Sequence, residues 1–433
     1  MTMNGSEFFL LFDGRPVAKL SPATNAFDIH FEYLPSWIAS GFPLAPSLPF
    51  ENIPQGAALA FLENMLPEGK AFERLVAYHS LSRNHVLALA LAIRNDLSGA
   101  LTLSPTPTQE IRNSTFRSIT EEEIIARLEK PETQPMDIWD NRPRLSVAGV
   151  QTKLNVLKRG ETYGLVDGTN LCSDRILKFE SKAQRHLLLN EYLTMTLAKS
   201  LPHQIADCHL IHFGEFRALE ILRFDRRVQS EDRVLRRHVI DVCQALGLPS
   251  GLKYERNFGD GKDVRHIRDG VSFNKLLSLT NHCREPLSVR TMLFDWLIFN
   301  LIVGNSDAHG KNFSFFASAK GLTPTPWYDL ISVLQVEDIE HSLAMSVGDE
   351  FNPNEIHALQ LLIEADEVGL TKTFVQERLK KVLDCLNIGL ANFTMPKNLN
   401  NEENEFAKKY FAFIQKQIAR WRQEEQILKE LTI

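Results

Sequence analysis

The sequence predicts an α+β fold built from more than one domain. The chain has 433 residues, which is more than a single compact core usually supports. Apolar alternation typical of strands recurs up to about residue 240, whereas the helical period dominates from about Asp241 onward. With 44% hydrophobic and 24% charged residues, the composition is that of an ordinary globular protein.

Charge, cysteine usage and hydropathy exclude several classes of protein. The formal net charge of −6 means that no global positive field draws the chain to nucleic acid, so DNA contact would need a local patch or a basic partner. The five cysteines form no Cys-x-x-Cys pair, which indicates reduced cytosolic thiols rather than disulfides or zinc. We see no signal peptide and no apolar stretch approaching the roughly 18 residues of a membrane span. The sequence therefore predicts a cytoplasmic protein that does not contact membrane.

Residues 1–103 read as a first α/β subdomain. Asp13-Gly14 follows a short apolar strand and predicts a β-hairpin. Residues 104–140 contain several prolines and one short charged helix, so we interpret them as a connector. The elements predicted for the first subdomain are strands at Phe8–Phe12, Phe27–Phe31 and Leu101–Leu103, and helices at Ala57–Leu66 and His85–Arg94.

Residues 141–240 predict a small sheet with one helix, the outline of a kinase N-lobe, and residues 241–433 predict a helical lobe. The strands expected in the sheet are Lys153–Lys158, Thr162–Val166, Arg175–Phe179 and Leu210–Leu222, and the helix is Leu187–Lys199. The main helices expected in the last region are Val289–Val303, Glu355–Glu364 and Glu405–Leu431.

A loop after a strongly apolar helix carries the residues that indicate chemistry. Asp307 and Asn312 have the Asp-x-x-x-x-Asn spacing of kinase catalytic loops, in which the aspartate acts on the acceptor hydroxyl and the asparagine binds Mg²⁺. Asp329 follows at about the distance expected for the second metal-binding carboxylate. We therefore predict Asp307 as the catalytic base, with Asn312 and Asp329 as Mg²⁺ ligands.

The order of further residues supports phosphoryl transfer. Lys178 lies in a strand pattern upstream and matches the lysine that neutralises nucleotide phosphates, while Glu191 on the next helix can orient it. The sequence contains neither a Walker motif nor a Gly-x-Gly-x-x-Gly loop. The small-residue turn 145–153 precedes the first N-lobe strand, and we predict that its backbone N–H groups and Lys153 cover the phosphates.

Together these segments resemble the HipA family of toxin kinases, over nearly the whole chain. The resemblance is carried by eight segments in order: Glu63–Pro67, Ser98–Leu103, Ser146–Lys153, Ile176–Lys178, Arg223–Arg226, Cys243–Pro249, Asp307–Ser314 and Tyr328–Ile331. It implies a protein-kinase-like two-domain fold, with an N-terminal mixed α/β region, an all-helical C-terminal region and ATP in the cleft between them.

The resemblance also implies a function and a set of site residues. The implied protein is a toxin that phosphorylates a serine on a translation component, an aminoacyl-tRNA synthetase in known cases, and is neutralised by a dimeric helix-turn-helix antitoxin, HipB, that binds operator DNA. Ser146 matches an autophosphorylated serine whose modification would repel ATP and expel the phosphate-binding loop, and Leu222–Phe224 matches the adenine hinge. The residues assigned to ATP are Ala148, Gly149, Val150, Gln151, Thr152, Lys153, Lys178, Leu222, Arg223, Phe224, His309, Gly310, Lys311, Asn312, Tyr328 and Asp329.

Departures from the family pattern and two alternatives remain at this stage. The segment 348–352 after a predicted strand Leu343–Ser346 is acidic, where some relatives have lysines that approach DNA. An arginine cluster within residues 226–237 is a substitute DNA-contact surface, a solvated hairpin face or a substrate-docking surface.

One alternative function is a small-molecule kinase of the aminoglycoside type, although His309 follows Asp307 rather than preceding it. The other is a pseudokinase that serves only as a co-repressor scaffold.

Overall fold

A computed structural model describes residues 7–23, 28–93, 97–144, 151–180, 185–259, 261–337 and 339–431. The chain divides into two compact units. Unit 1 comprises residues 1–181, 211–250 and 314–322, and unit 2 comprises residues 182–210, 251–313 and 323–433.

Unit 1 begins with a four-stranded antiparallel sheet in the order β3-β2-β1-β4. Its strands are β1 Phe8–Phe12, β2 Arg15–Pro22, β3 Ile29–Tyr33 and β4 Leu101–Ser104. The predicted hairpin joins β1 to β2, and both turn residues have positive φ, 46° at Asp13 and 77° at Gly14. Glycine and aspartate accept this left-handed conformation, which matches the twist of the flanking strands.

Short helices separate β3 from β4. They are α1 Pro35–Ile38, α2 Ala57–Glu63, α3 Gly69–His79 and α4 Val86–Ala92. Two of them, α2 and α4, were predicted, whereas α3, in which Leu75 is the one buried residue, was not.

A six-stranded sheet forms the next layer of unit 1, in the order β11-β12-β10-β8-β9-β5. Trp139, Leu177 and Phe179 are fully buried in its core. Helix α5 begins with a capping box, in which Thr120 and Glu123 each accept the backbone N–H of the other. The elements up to this sheet's last strand are β5 Thr115–Ser118, α5 Glu121–Glu129, β6 Ile138–Trp139, β7 Arg142–Pro143, β8 Lys153–Arg159, β9 Thr162–Asp167, β10 Arg175–Phe179, α6 Leu187–Ala198, β11 Cys208–Phe213 and β12 Phe216–Leu222.

Two predictions about this sheet differ from the structure, one about the length of a strand and one about the segment that forms the sheet edge. The run Leu210–Leu222, predicted as one strand, is the hairpin of β11 and β12, because Gly214 adopts a φ of 55° that ends the first strand. The stretch 104–140, interpreted as a connector, contributes β5 to the sheet edge by antiparallel pairing with β9.

The region after residue 241 is not all helical, contrary to the prediction. The strand β15 Val239–Asp241 pairs with β16 Ser314–Ser318, which continues into β17 Gly321–Pro324. Residues 314–322 thereby return to unit 1. Strands β16 and β17 are only 5 and 4 residues long, so their alternation is too short to be recognised beside the helical pattern around them. Before β15 lie the paired strands β13 Arg226–Ser230 and β14 Arg233–Arg236, and α7 Val242–Leu246 follows β15 directly.

Unit 2 is mainly helical. Helix α9 is buried almost continuously from Leu293 to Val303 and packs against α11 and α12. The predicted strand Leu343–Ser346 is wrong, since these residues form no strand and make irregular loop contacts instead. The helices after α7 are α8 Phe273–Ser278, α9 Pro286–Val303, α10 Ala358–Glu367, α11 Lys372–Ala391 and α12 Asn401–Glu430, and the short 3-10 turns are Ser250–Leu252, Leu279–His282 and Val333–Gln335.

The prediction that no apolar stretch approaches the length of a membrane span is wrong for helix α9. By length and composition its 18 residues could cross a bilayer, and it is the single such helix in the part of the chain that the structure describes. However, 67% of it is buried inside the protein. A core helix hydrophobic on every side passes the same test, so α9 is weak evidence of membrane insertion.

His238 gives unit 1 a pH-dependent stability. Its Nε2 atom donates a hydrogen bond of 2.9 Å to the Leu44 carbonyl, and its ring lies among Phe12, Phe42 and Phe61. Burial lowers the pKa of His238 from 6.5 to about 4. Because the unfolded chain binds this proton first, stability is fully present above pH 6.5 and is lost as pH falls toward 4.

We therefore expect acidification from pH 7.5 to 5 to lower the free energy of unfolding by about 2 kcal/mol through this group. Urea unfolding of the wild type and of His238→Gln at both pH values measures it, with His282→Gln, an exposed site, as the matched control. An equal pH dependence in all three proteins would contradict the prediction.

Candidate active site

The predicted catalytic loop begins at the end of α9, where Gly304 terminates the helix. Gly304 has a φ of 70°, and a Cβ atom there would lie 3.1 Å from Leu334. The next residue, Asn305, donates from its backbone to the Asn300 carbonyl at 2.8 Å and from its side chain to Asn300 Oδ1 at 2.7 Å. These bonds satisfy the helix end and fix the point at which the loop starts.

Hydrogen bonds within the loop hold Asp307, His309 and Asn312 together. The backbone N–H of His309 donates to the Asp307 carbonyl at 2.8 Å, and that of Asn312 donates to the His309 carbonyl at 2.9 Å. Asn312 Nδ2 also donates to the Asp307 carbonyl, at 2.8 Å. His309 Nδ1 accepts the N–H of Lys311 at 3.2 Å, which identifies His309 as a loop-shaping residue.

Asp307 is half-buried, and its carboxylate has a partner that the sequence did not indicate. Tyr254 donates its hydroxyl proton to Asp307 Oδ1 at 2.7 Å. The Tyr254 ring also packs edge-on against His309, with ring centroids 5.1 Å apart. No repeat, motif or apolar pattern surrounds Tyr254, and 53 positions separate it from Asp307, so local sequence offered no signal for it.

Asp329 lies in a second loop that is joined to the first. Tyr328 donates its hydroxyl proton to the Lys311 carbonyl at 2.7 Å, which brings residues 328–329 beside the end of the catalytic loop. Asp329 has a φ of 56°, a left-handed conformation that costs a non-glycine residue about 1–3 kcal/mol and persists where the surroundings enforce it. Such enforced conformations are concentrated at functional sites.

The segment before Asp329 is anchored by a buried ion-pair network. The Trp327 ring stacks on His203, with ring centroids 4.7 Å apart, and its backbone N–H donates to the Gln204 carbonyl at 2.8 Å. The His203 Nε2 atom lies 2.6 Å from Asp295, a fully buried residue of α9 that Arg378 also contacts. The helix that precedes the catalytic loop therefore also supports the loop that carries Asp329.

Asn312 and Asp329 have the donor atoms that a magnesium ion requires. Mg²⁺ prefers oxygen ligands and is usually held by one or two carboxylates together with substrate phosphates and water. Because Asn312 Nδ2 donates to the loop backbone, the amide is oriented with Oδ1 on its other side. Across the described ranges no group of three His, Cys, Asp or Glu side chains could hold a metal, and a phosphate-linked Mg²⁺ needs none.

In unit 1, the predicted phosphate-binding lysines lie on neighbouring strands. Lys178 on β10 is the direct antiparallel partner of Lys153 on β8. Side chains at directly opposite positions share one face of the sheet about 5 Å apart, and like charges there are destabilising. Both lysines are therefore on one face of the sheet, as the predicted contact with phosphate requires. Gln151 and Thr152 precede it, and the Thr152 carbonyl accepts the N–H of Phe179 at 3.0 Å.

The residues predicted to form the adenine hinge, Leu222–Phe224, lie at the end of β12, and Arg223 among them has a structural role. Its guanidinium donates to Asp225 at 3.0 and 2.8 Å and to Ser173 at 2.9 Å, and its backbone N–H donates to the Asp174 carbonyl at 3.0 Å. Leu222 and Phe224 flank it and are half-buried.

Asp225 is the centre of a buried network that reaches the first subdomain. It accepts the Gly99 N–H at 3.0 Å and the Arg226 guanidinium at 2.6 Å, while Arg226 also donates to the Gly99 and Leu97 carbonyls. Burial by itself would raise the pKa of Asp225, but Arg223 and Arg226 outweigh it and hold that pKa well below its usual range. A Cβ at Gly99, which has a φ of 72°, would approach the Val239 carbonyl to 3.0 Å.

The predicted residues are thus distributed over both units. Asp307, His309, Gly310, Lys311, Asn312, Tyr328 and Asp329 lie together in unit 2, as does Glu191, which is buried on α6. Lys153, Lys178 and Leu222–Phe224 lie in unit 1. The predicted phosphosite Ser146 and the turn residues Ala148, Gly149 and Val150 lie outside the described residues.

Comparison with known proteins establishes the family. Residues 145–387 match the HipA-like C-terminal domain, and residues 10–104 match the HipA N-terminal domain. The chain belongs to the HipA family. It is accordingly a serine/threonine-protein kinase, and its α+β fold is that of HipA kinases, as the sequence predicted.

Relatives of this HipA-family kinase cover nearly its full length. It is 43% identical, over 91% of both chains, to the serine/threonine-protein kinase toxin HipA of Shewanella oneidensis. It is 30% identical to the putative kinase Y4mE of Sinorhizobium fredii, over 86% of this chain and 88% of that one. The structure of a Shewanella oneidensis complex of HipA, HipB and operator DNA matches with a TM-score of 0.88 and 39% identity, over 98% of this chain and 100% of that chain.

Proposed function

We propose that this kinase is the toxin of a toxin–antitoxin module and transfers phosphate from ATP to a serine of a protein substrate. The observation that carries the proposal is the catalytic loop, in which Asp307 and Asn312 are held by hydrogen bonds next to Asp329. The similarity of the whole chain to a HipA toxin, over nine-tenths of its length, supports the toxin role.

In the proposed reaction, the Asp307 carboxylate accepts the proton of the substrate hydroxyl as that oxygen attacks the γ-phosphorus of ATP. The bond between the γ-phosphorus and the β,γ-bridging oxygen breaks, and ADP leaves with the electron pair of that bond. Lys178 and Lys153 neutralise the α- and β-phosphates, and Glu191 orients Lys178. Asn312 and Asp329 would hold Mg²⁺, which supplies positive charge against the phosphate oxygens. The turn Ala148–Thr152 covers the phosphates, Leu222 and Phe224 contact adenine, and Gly310, Lys311 and Tyr328 shape the floor of the site.

Removal of either proposed magnesium ligand should raise the Mg²⁺ requirement of the reaction. For Asp329→Asn and Asn312→Ala we expect the Mg²⁺ concentration at half-maximal rate to rise at least about 10-fold, because each change removes an oxygen ligand. Magnesium titrations of ATP turnover measure the effect. Asp366→Asn, at an exposed position of α10, is the control, and an unchanged titration in both ligand variants would argue against the assignment.

We further propose that autophosphorylation of Ser146 switches the enzyme off. Phosphorylation places close to two negative charges in a turn proposed to bind phosphate, so it would repel ATP. In the same proposal the substrate is a component of translation, with an aminoacyl-tRNA synthetase as the first candidate, and phosphorylation of it in the cytoplasm arrests growth and favours persistence.

The proposed partner is a HipB-like helix-turn-helix dimer, which would neutralise the toxin and carry it to operator DNA for co-repression. The complex formed by the Shewanella oneidensis relative supports this partner. Direct DNA contact at residues 348–352 is disfavoured, because Asp349 and Glu350 make the loop acidic and Asp349 pairs with Arg268. Contact with the operator would therefore occur mainly through the antitoxin.

The proposal is tested by incubating the purified protein with Mg²⁺ and labelled ATP and mapping the phosphopeptides. We expect phosphate on Ser146, none in Ser146→Ala and normal labelling in Ser36→Ala, an exposed control. Induced expression should arrest growth, and co-expression of a helix-turn-helix protein encoded beside the gene should relieve it. The absence of both labelling and a growth defect would contradict the proposal, and labelling of a metabolite instead would indicate a small-molecule kinase.

A further inference from the structure

Tyr254 makes the one side-chain hydrogen bond recorded to the Asp307 carboxylate in the described part of the chain, at 2.7 Å. A carboxylate rotates easily, because its terminal torsion has only a broad, roughly two-fold preference. A donor to Oδ1 stops that rotation and leaves Oδ2 to face an acceptor hydroxyl.

The backbone around Tyr254 is attached directly to the catalytic loop. Gly310, inside the loop, donates its N–H to the Lys253 carbonyl at 2.9 Å. Glu255 donates its N–H to the Ala344 carbonyl at 2.9 Å, and Ala344 in turn donates to the Ser306 carbonyl at 2.8 Å. The tyrosine is therefore fixed on both sides by bonds that lead to the residues flanking Asp307.

A buried charge network anchors the same segment. The side chain of Glu255, which is 2% exposed, accepts the Ser346 N–H at 2.7 Å and the Arg268 Nε–H at 2.7 Å. On the other side, Gly270 lies so close that a Cβ there would come within 1.8 Å of the Tyr254 carbonyl. Such rigid support is what a hydroxyl needs in order to hold a catalytic group in a constant orientation.

We propose that Tyr254 is a positioning residue for phosphoryl transfer, which orients the Asp307 carboxylate through its hydroxyl. This inference rests on the proposed role of Asp307 as the base. It adds a residue that acts through Asp307 and touches neither ATP nor the protein substrate.

The test compares Tyr254→Phe with the wild type and with Tyr78→Phe. The control tyrosine is 46% exposed and also donates its hydroxyl proton, to the Asn141 carbonyl, but it lies in unit 1. For Tyr254→Phe we expect kcat to fall roughly 10-fold, as for the loss of a hydrogen bond to a charged group, with KM for ATP unchanged. A loss confined to kcat, with KM for ATP and Tm unchanged, is an effect that a purely structural role would not produce.

Each outcome decides the inference. An unchanged kcat overturns it, and so does a fall in kcat accompanied by a lower Tm or a raised KM for ATP, which would indicate a structural role. The proposed function fails separately, because it is lost if the wild type transfers no phosphate or if Asp307→Asn remains active. Hydrogen exchange of the 305–312 backbone in Tyr254→Phe checks that the loop itself stays folded.

Discussion

Replacing Asp307 by asparagine is expected to lower the rate of phosphoryl transfer by about 10²–10⁴-fold, the range that a positioned acid–base group contributes. Asparagine keeps the size of the side chain and can still interact with Tyr254, but it cannot accept the proton of the substrate hydroxyl. The loop should remain folded, because its internal bonds use the backbone of Asp307 rather than its carboxylate. We therefore expect kcat to fall while ATP affinity and Tm stay near the wild-type values.

Steady-state ATP turnover with a protein acceptor and a thermal melt measure this prediction. Asp263→Asn is the matched control, because that aspartate is exposed in the same unit. If Asp307→Asn kept its rate within about threefold of the wild type, Asp307 could not be the base.

Replacing Asp225 by alanine is expected to destabilise unit 1 by about 3–5 kcal/mol, because it leaves Arg223 and Arg226 buried without their shared carboxylate. The side chains of the two arginines are 2% and 0% exposed, so water cannot replace the lost partner. The Gly99 N–H would lose its acceptor as well. The chain would lose a large share of a typical folding free energy.

Chemical unfolding of Asp225→Ala against Asp232→Ala measures the loss. The control aspartate has a side chain that is 98% exposed and lies 3.8 Å from Arg159, so its pair is worth little. Because the pKa of Asp225 is depressed in the folded protein, its contribution is complete above about pH 4 and is lost only as pH falls through the strongly acid range. Equal stability of the two variants at pH 7 would show that the network adds nothing.

Local patterns were enough for the elements whose signal lies within one segment. The hairpin at Asp13-Gly14, strand β10 and helix α9 were predicted because turn chemistry, alternation and continuous apolarity are each visible within about 20 residues. The membrane criterion failed for α9 for the same reason, since a buried core helix and a membrane helix share that local pattern.

Elements whose partners are distant in sequence were missed or misread. Strand β16 pairs with β15, more than 70 positions earlier, and this pairing places residues 314–322 in unit 1 rather than in a helical lobe. Helix α11 has 20 residues but a mixed pattern, because α9, α10 and α12 cover different parts of its surface. Burial from several sides removes the single apolar stripe that sequence reading relies on.

The sequence by itself was enough to predict the kinase activity of this HipA-family protein, and the prediction was based on the order of Lys178, Asp307, Asn312 and Asp329 along the chain. The roles proposed for these four residues stay predictions. Only the tertiary structure decided what holds those residues. The Tyr254 hydroxyl on Asp307 and the Arg223–Asp225–Arg226 network reaching Gly99 join segments far apart in sequence. Hydrogen bonds act over about 3 Å in space, whatever the separation along the chain, so no local pattern records them.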